Sequence, residues 1–233
     1  LKAQVFNIPF IFNLKNKTDS SNNKEININA RTLKLKIFNQ SNKKNKSLIS
    51  GKNIISFLNS TINTKYNIEE NLINFESEDS RLNKSKINYS GKFSINPFDL
   101  NLGIDLGNHK ISKILEINAV LIELVKTELL FNNSISINTS IIAYSTAKDE
   151  FFQNAKIYFN IINGKINFDK TRLINKKIGS VELNDSSLFY ENDKLTLNTN
   201  IIADIKSSKE LFSFLQTNKK SRKKLRKILI NLD

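Results

Sequence analysis

The chain of 233 residues has no cysteine, methionine or tryptophan, and it contains one histidine, two prolines and six glycines. The absence of cysteine excludes disulfide bonds and thiolate metal sites. The single histidine, His109, excludes a metal site built from several histidines. Because glycine and proline are scarce, Asn, Asp and Ser must supply most of the turns, and Asn163-Gly164 is typical of a hairpin.

Long apolar runs are also missing. The longest apolar-rich stretch, residues 111–131, is interrupted by charged and polar residues such as Lys113, Glu116 and Glu123. A helix that crosses a bilayer needs roughly 20 mainly apolar residues. We therefore predict that no part of this stretch spans a membrane. The sequence begins at Leu1 and has no methionine, so we expect it to be a fragment of a longer or processed product.

The positive charge is concentrated near the end of the chain. The net charge is +14, from 36 basic and 22 acidic residues. Seven basic residues and no acidic one lie between residues 219 and 227, so the rest of the chain has 36 − 7 = 29 basic residues and a net charge of +7. We call these seven the basic segment: Lys219, Lys220, Arg222, Lys223, Lys224, Arg226 and Lys227.

The basic segment has three interpretations. It could be a solvated helix end whose charges complement the helix dipole. It could contact anionic lipid headgroups at a membrane surface. Nucleic-acid binding is the least supported, because Phe212 and Phe214 are not interleaved with the basic residues and no RNA-binding signature is present. We predict no nucleic-acid partner.

Apolar and polar residues alternate with period 2 in most of the chain. Residues 155–161 and 195–205 are clear cases. Successive side chains of a strand point to opposite faces, so such segments form sheets with one apolar and one polar face. The predicted fold class is mainly β with two helices, a curved antiparallel β-sheet that forms an amphipathic groove. The alternative is a closed β-sandwich, in which the apolar faces pack against each other.

The order of elements is strands, helix, strands, helix. Residues 1–106 read as a β-rich segment of the groove, with a bulge expected near Arg31-Thr32 and a strand over residues 54–62. Residues 107–233 follow as a second segment. In it, a period near 3.6 predicts a helix over residues 111–131, then six short strands between 134 and 205, and a C-terminal basic helix over residues 207–229.

Sequence motifs that would indicate catalysis are weak or missing. His109 lies in a turn-like spot and reads as a solvated loop residue, and no nucleophile elbow, P-loop or dinucleotide-binding glycine motif occurs. Asp99 and Asp105 could share one face of a strand, but two isolated carboxylates are more typical of surface charges than of an acid–base pair. We predict that the chain is not an enzyme and that it has no cofactor and no metal.

Several segments resemble the AsmA-like family, which includes the TamB and YhdP envelope proteins. The segment GKFSINPFDLNL (residues 91–102) is similar to a strand pair of that family. The segments NGKINFD (163–169) and IGSVEL (178–183) are similar to its strand–turn–strand sections. LFSFLQT (211–217), the basic segment and ILINLD (228–233) resemble the C-terminal region of an alphaproteobacterial-type member. The likeness covers residues 85–233.

The resemblance implies a function. AsmA-like proteins are anchored in the inner membrane of Gram-negative bacteria and extend through the periplasm as long β-structures. They are implicated in moving phospholipids for outer-membrane biogenesis. The implied chain is periplasmic, attached to the inner membrane through a segment that it does not contain, and its partners are phospholipid or another acyl-chain lipid, a membrane surface and other envelope proteins.

We therefore predict a non-enzymatic lipid-binding or lipid-transfer module that shields acyl chains in a hydrophobic β-groove. The basic segment is predicted to contact headgroups or a membrane. The alternative function is a structural or interaction β-sandwich domain of an envelope protein. The residues predicted to line the groove are Ile135, Ile137, Ile157, Phe159, Ile161, Ile166, Phe168, Leu195 and Leu197.

Overall fold

The chain folds as two compact units, Leu1–Asp105 (unit 1) and Leu106–Asp233 (unit 2). The computed structural model describes residues 2–5, 8–16, 22–45, 47–83, 85–115, 125 and 129–232. Strands dominate both units, and the two α-helices among these residues are short: α1 (Ile111–Leu115) and α2 (Ser208–Phe214). The predicted mainly β fold class with two helices is confirmed. The sequence had placed the boundary one residue later, after residue 106.

Unit 1 is an antiparallel meander, in which strands that are close in sequence pair with each other. Its strands are β1 (Lys2–Val5), β2 (Ile8–Asn16), β3 (Asn23–Ala30), β4 (Leu35–Lys43), β5 (Leu48–Phe57), β6 (Ser60–Glu69), β7 (Leu72–Ser77), β8 (Ser80–Leu82), β9 (Ser85–Ser94) and β10 (Phe98–Gly107), which continues into unit 2. β7 and β8 share one position in the sheet, because both pair with β6 and with β9.

Unit 2 repeats this arrangement. Its strands are β11 (Ile135–Tyr144), β12 (Asn154–Ile162), β13 (Lys165–Asn167), β14 (Arg172–Asn175), β15 (Gly179–Glu191), β16 (Lys194–Ile205) and β17 (Lys227–Leu232). Here β13 and β14 share one position between β12 and β15. The six strands expected between residues 134 and 205 are β11 to β16. The predicted hairpin turn is also confirmed, since Asn163 and Gly164 both have positive φ angles, 52° and 67°.

Two predictions in unit 1 are wrong in the same way. A 3-10 turn (Arg31–Leu33) and Lys34, with φ of 52°, reverse the chain between β3 and β4 where a bulge was expected. The strand predicted over residues 54–62 is divided between β5 and β6 at Leu58, also with φ of 52°. In both places the reversal preserves the apolar face, because residues that pair across an antiparallel hairpin share a face.

The first predicted helix, over residues 111–131, begins as expected at Ile111, whose side chain is fully buried. The described helix α1 covers Ile111–Leu115, and a 3-10 turn lies at Leu129–Phe131. Residues 116–124 and 126–128 lie outside the described residues.

The predicted C-terminal basic helix is wrong beyond α2. After Phe214 the chain passes through Gln216, with φ of 52°, and a 3-10 turn (Lys219–Ser221) before it pairs as β17 with β16. A helix over this segment would bring many like charges within three or four residues of one another, which is destabilising. The segment shows no strict alternation, since Ile228, Leu229 and Ile230 are consecutive apolar residues, but the β-branched Ile228 and Ile230 favour a strand.

Candidate functional site: the apolar sheet faces

Unit 1 carries a continuous apolar row across five strands. The strand registers pair Phe12 with Ile28, Ile28 with Ile37, Ile37 with Ile55, and Ile55 with Ile62. Residues paired in this way lie side by side on one face of the sheet. We call Phe12, Ile28, Ile37, Ile55 and Ile62 the unit 1 row. Four strand spacings of about 4.8 Å make it roughly 19 Å long, comparable with an extended long acyl chain.

The opposite face of the same sheet is polar. A second row, formed by residues of the other parity, runs across β2 to β7 and consists of Lys15, Glu25, Gln40, Lys52, Lys65 and Glu76. The sheet of unit 1 therefore has one mainly apolar and one mainly polar face, as the period-2 alternation predicts. Some apolar residues also lie on the polar face: Phe38 and Ile54 pair with each other there, and Ile11, Leu48 and Leu72 have polar partners.

The unit 1 row remains accessible. All five of its side chains are only partly buried. Among the described residues of unit 1, the buried apolar side chains are Ala30 and Ile87, and both lie outside the row. The row therefore exposes apolar surface to water, and covering that surface with a ligand would lower the free energy.

Aromatic rings lie against two strand glycines of unit 1. The Tyr66 ring lies against Gly51, where an added Cβ would come within 2.5 Å of its Cζ atom. The Tyr66 hydroxyl accepts a hydrogen bond from Asn39 Nδ2 at 2.9 Å. On the adjoining strands the Phe75 ring lies over Gly91 in the same manner, with the Cζ atom 2.6 Å from an ideal Cβ. Aromatic rings placed over strand glycines fill the space that the missing side chains leave.

Unit 2 carries an equivalent row, and part of it is covered. The registers pair Ile137 with Ile161, Ile161 with Ile166, Ile166 with Leu188, and Leu188 with Leu197. We call these five residues the unit 2 row. Ile161 and Ile166 are 0% and 1% exposed, in a cluster with Leu130.

The cover comes from the chain itself. Val125 and Phe131 pack against that cluster, so the end of the segment that follows α1 lies on the apolar face. The Phe131 ring also contacts Tyr190 edge to face, with 4.9 Å between ring centroids. The hairpin glycine Gly164 fits under the same segment, since an added Cβ would lie 2.5 Å from the Phe131 carbonyl oxygen.

The predicted groove residues fall into three groups. Six of the nine belong to the covered cluster: Ile135, Ile137, Phe159, Ile161, Ile166 and Phe168. Ile157 lies on the same face and is partly exposed. Leu195 and Leu197 are 45% and 44% exposed. Their register partners are Tyr190 and Leu188, so they extend the apolar face beyond its cover.

Sequence reasoning missed the more accessible row. Ile28, Ile37 and Ile62 alternate with polar neighbours as clearly as the unit 2 residues do, so the signal for an apolar face was available. Which of the two faces is covered depends on contacts between segments distant in sequence, such as Leu130 with Ile161.

The basic segment is exposed along its whole length and does not form one helical face. Lys219 and Lys220 lie in the 3-10 turn, and Lys227 begins β17. Lys224 and Arg226 line an open cavity of about 1010 Å³ in unit 2, together with Arg172, Lys176, Lys206 and Asp204. This grouping joins two residues of the segment with three basic residues that the sequence did not single out.

A surface cluster of charges lies in unit 1. Glu78 Oε2 is 2.8 Å from Lys52 Nζ, and Glu78 Oε1 is 2.6 Å from Lys65 Nζ. Hydrogen bonds from Lys52 and Lys65 hold the pKa of Glu78 below its ordinary value. The hydrogen bond to Glu78 in turn raises the pKa of Lys65. All three side chains are well exposed, so their contribution to stability is small.

The residues considered for catalysis do not come together in one site. Asp99 and Asp105 both lie on β10, six residues apart, which corresponds to about 20 Å along a strand. Carboxylates that act as an acid–base pair lie about 5–9.5 Å apart. His109 is half-buried rather than solvated, with Nδ1 2.9 Å from the Gly107 carbonyl oxygen. Within the described ranges, no three His, Asp or Glu residues are grouped as metal ligands.

Comparison with protein-family models and with curated proteins gives no match for this chain. In the part of the chain that the structure describes, no helix is both long and apolar enough to cross a bilayer.

Proposed function

We propose that this chain is a non-enzymatic lipid-binding module of the lipid-transfer type, acting in the periplasm in outer-membrane biogenesis. Acyl chains would lie across the strands of unit 1, along the row from Phe12 to Ile62. The observation that carries the proposal is this row: a five-strand apolar stripe that is only partly buried, on a sheet whose other face is charged. The resemblance to AsmA-like proteins supports the same assignment.

The physical basis is burial of apolar area, at about 25 cal/mol per Å². Isoleucine and phenylalanine side chains cannot distinguish headgroups, so we expect weak selectivity among phospholipids. The exposed basic segment is proposed to contact anionic headgroups at a membrane surface.

The test is native mass spectrometry of the purified chain, with lipid extraction of the same sample. We expect co-purified phospholipid on the native chain. Ile55→Asp places a charge in the unit 1 row and should remove the lipid. Ser56→Asp introduces the same charge one residue away on the opposite face of β5, and this control should retain the lipid.

Both variants must give a native far-UV circular dichroism spectrum before the comparison is interpreted. A lipid-free native chain, or equal lipid on the two variants, would contradict the proposal.

A second function has a specific observation in its favour. The covered cluster of Ile161, Ile166 and Leu130 is what a self-contained structural or interaction domain needs. A chain that carries no lipid and does not bind a dye for exposed apolar surface would favour this structural role.

A further inference from the structure

The cavity in unit 2 brings together basic residues from three separate segments, 172–176, Lys206 and 224–226. Arg172 belongs to β14, Lys176 follows that strand, Lys206 follows β16, and Lys224 and Arg226 precede β17. The only carboxylate in its lining is that of Asp204. Five positive side chains thus face one negative one around a space of about 1010 Å³.

The backbone holds these segments in place. Ile205 N–H donates to the Arg226 carbonyl oxygen at 2.8 Å, and Lys206 N–H donates to the Ile178 carbonyl oxygen at 2.7 Å. Leu225 is held from both sides, because its N–H donates to Ser208 Oγ at 2.9 Å and its carbonyl accepts from the same hydroxyl at 2.7 Å. The cations on either side of Leu225 are therefore attached to a fixed backbone.

The side-chain contacts leave most of the positive charge uncompensated. Arg172 Nη2 donates to Ser180 Oγ at 3.1 Å, and its Nε lies 3.8 Å from Glu182 Oε2, so Arg172 is oriented and partly neutralised. Lys206 Nζ donates to the carbonyl oxygen of Lys176 at 3.4 Å, a neutral acceptor. Like charges gathered around one space repel each other, and an anion placed among them removes that repulsion.

The cavity lies away from the apolar face. Arg172 and Ser180 alternate with Leu173 and Val181, which belong to the apolar face of the unit 2 sheet. An anion in the cavity and an acyl chain on the apolar face would therefore be separated by the sheet itself. The cavity lies in unit 2 and the unit 1 row lies in unit 1, so separate substitutions can test them.

We propose that this cavity is a binding site for a phosphate group. Guanidinium and ammonium groups are the side chains that proteins use for phosphate, and arginine adds a planar fork of donors. The space is open to solvent and larger than a phosphate ion, so a phosphate ester can also enter it. The ester is either a soluble compound or the headgroup of an anionic phospholipid presented by a membrane.

The test uses isothermal titration calorimetry with glycerol 3-phosphate, and flotation with vesicles of phosphatidylglycerol in phosphatidylcholine. The pocket variant is the double substitution Lys224→Gln and Arg226→Gln. Its control is Lys219→Gln and Lys220→Gln, which removes the same charge from the same segment outside the cavity. A third variant, Lys176→Gln, removes a cavity cation outside the basic segment.

We expect the pocket variant to weaken binding by at least about tenfold and the control to change it by less than about twofold. Lys176→Gln should weaken binding several-fold, although it leaves the basic segment intact. Thermal melting of each variant checks that the fold is retained.

One outcome is that glycerol 3-phosphate binds, and that its affinity falls most in the pocket variant, less in Lys176→Gln and least in the control. This would identify a soluble phosphate ester as a sufficient ligand. Binding to the vesicles alone with the same ranking would identify the membrane headgroup. Equal losses in the two double variants, or no binding to either probe, would overturn the site. Glycerol 3-phosphate has no acyl chain, so its binding is separate from the lipid test of the unit 1 row. In the vesicle experiment, the loss on substitution of cavity residues makes that distinction.

Discussion

The two units are built from the same kind of sheet and differ in what lies on it. Each has a row of apolar residues five strands wide, with polar residues on the other face. In unit 2 the centre of the row, Ile161 and Ile166, is fully buried under Leu130. In unit 1 the corresponding residues, Ile37 and Ile55, stay partly exposed. An amphipathic sheet thus serves as a core where the chain covers it and as a candidate binding surface where it is open.

The largest expected effect concerns the covered row. Ile161→Ala should lower the free energy of unfolding by about 2–5 kcal/mol, because it leaves a cavity beneath a packed cluster. The measurement is urea denaturation. Ile162→Ala, a neighbour that is 56% exposed on the opposite face, should change stability by less than about 0.5 kcal/mol. Equal losses would mean that the unit 2 face is not packed.

The next effect tests the packing of the Tyr66 ring against Gly51 in unit 1. Gly51→Ala should cost about 1–3 kcal/mol, because the new methyl group meets the Tyr66 ring and the Gln40 carbonyl oxygen. Replacing Tyr66 by leucine in the same chain should recover part of that loss, which a double-mutant cycle measures. Strict additivity of the two changes would contradict the contact.

A smaller loss is expected in the open row itself. Ile37→Ala should cost about 1–2 kcal/mol by urea denaturation, since a partly exposed side chain loses less apolar burial and leaves no closed cavity. Lys36→Ala, on the opposite face, is the matched control. A loss as large as that of Ile161→Ala would show that the unit 1 row is covered. It would contradict the difference in burial between the two units.

The smallest effect is electrostatic and depends on pH. Lys52 and Lys65 lower the pKa of Glu78, so this carboxylate stabilises unit 1 above its unfolded-state pKa and loses that contribution as the pH falls through its folded-state pKa. The raised pKa of Lys65 sets the upper limit, where the contribution disappears on deprotonation. The difference in melting temperature between the native chain and Glu78→Gln should be small at neutral pH and vanish in acid. A difference that persists in acid would exclude this origin.

Sequence reasoning predicted much of the fold. Period-2 alternation predicted the β-rich character of residues 1–106 and the six strands from β11 to β16, because a half-buried strand imposes a period of two on its residues. It failed at Arg31–Lys34 and at Leu58, where ordinary residues adopt positive φ and reverse the chain. Neither reversal contains a glycine or proline, the residues that usually indicate a turn in a sequence. The C-terminal strand β17 was obscured by the basic residues that precede it.

The candidate sites were predicted less completely. The groove residues were correctly assigned to one face, yet six of them lie in the covered cluster and the open row of unit 1 was not among them. Lys224 and Arg226 were identified with the rest of the basic segment. Their cavity partners Arg172, Lys176 and Lys206 are scattered over 35 residues of sequence and carry no common motif.

The alternation of residues was enough to predict a mainly β, amphipathic chain, because the direction of each side chain from a strand depends only on local backbone geometry. The sequence also excluded disulfides and thiolate metal sites through the absence of cysteine. Three features appear only in the folded chain: Leu130 covers the unit 2 row, the unit 1 row stays partly exposed, and cations from three segments line one cavity. Each of these depends on contacts between residues far apart in the chain, which no local pattern of residues specifies.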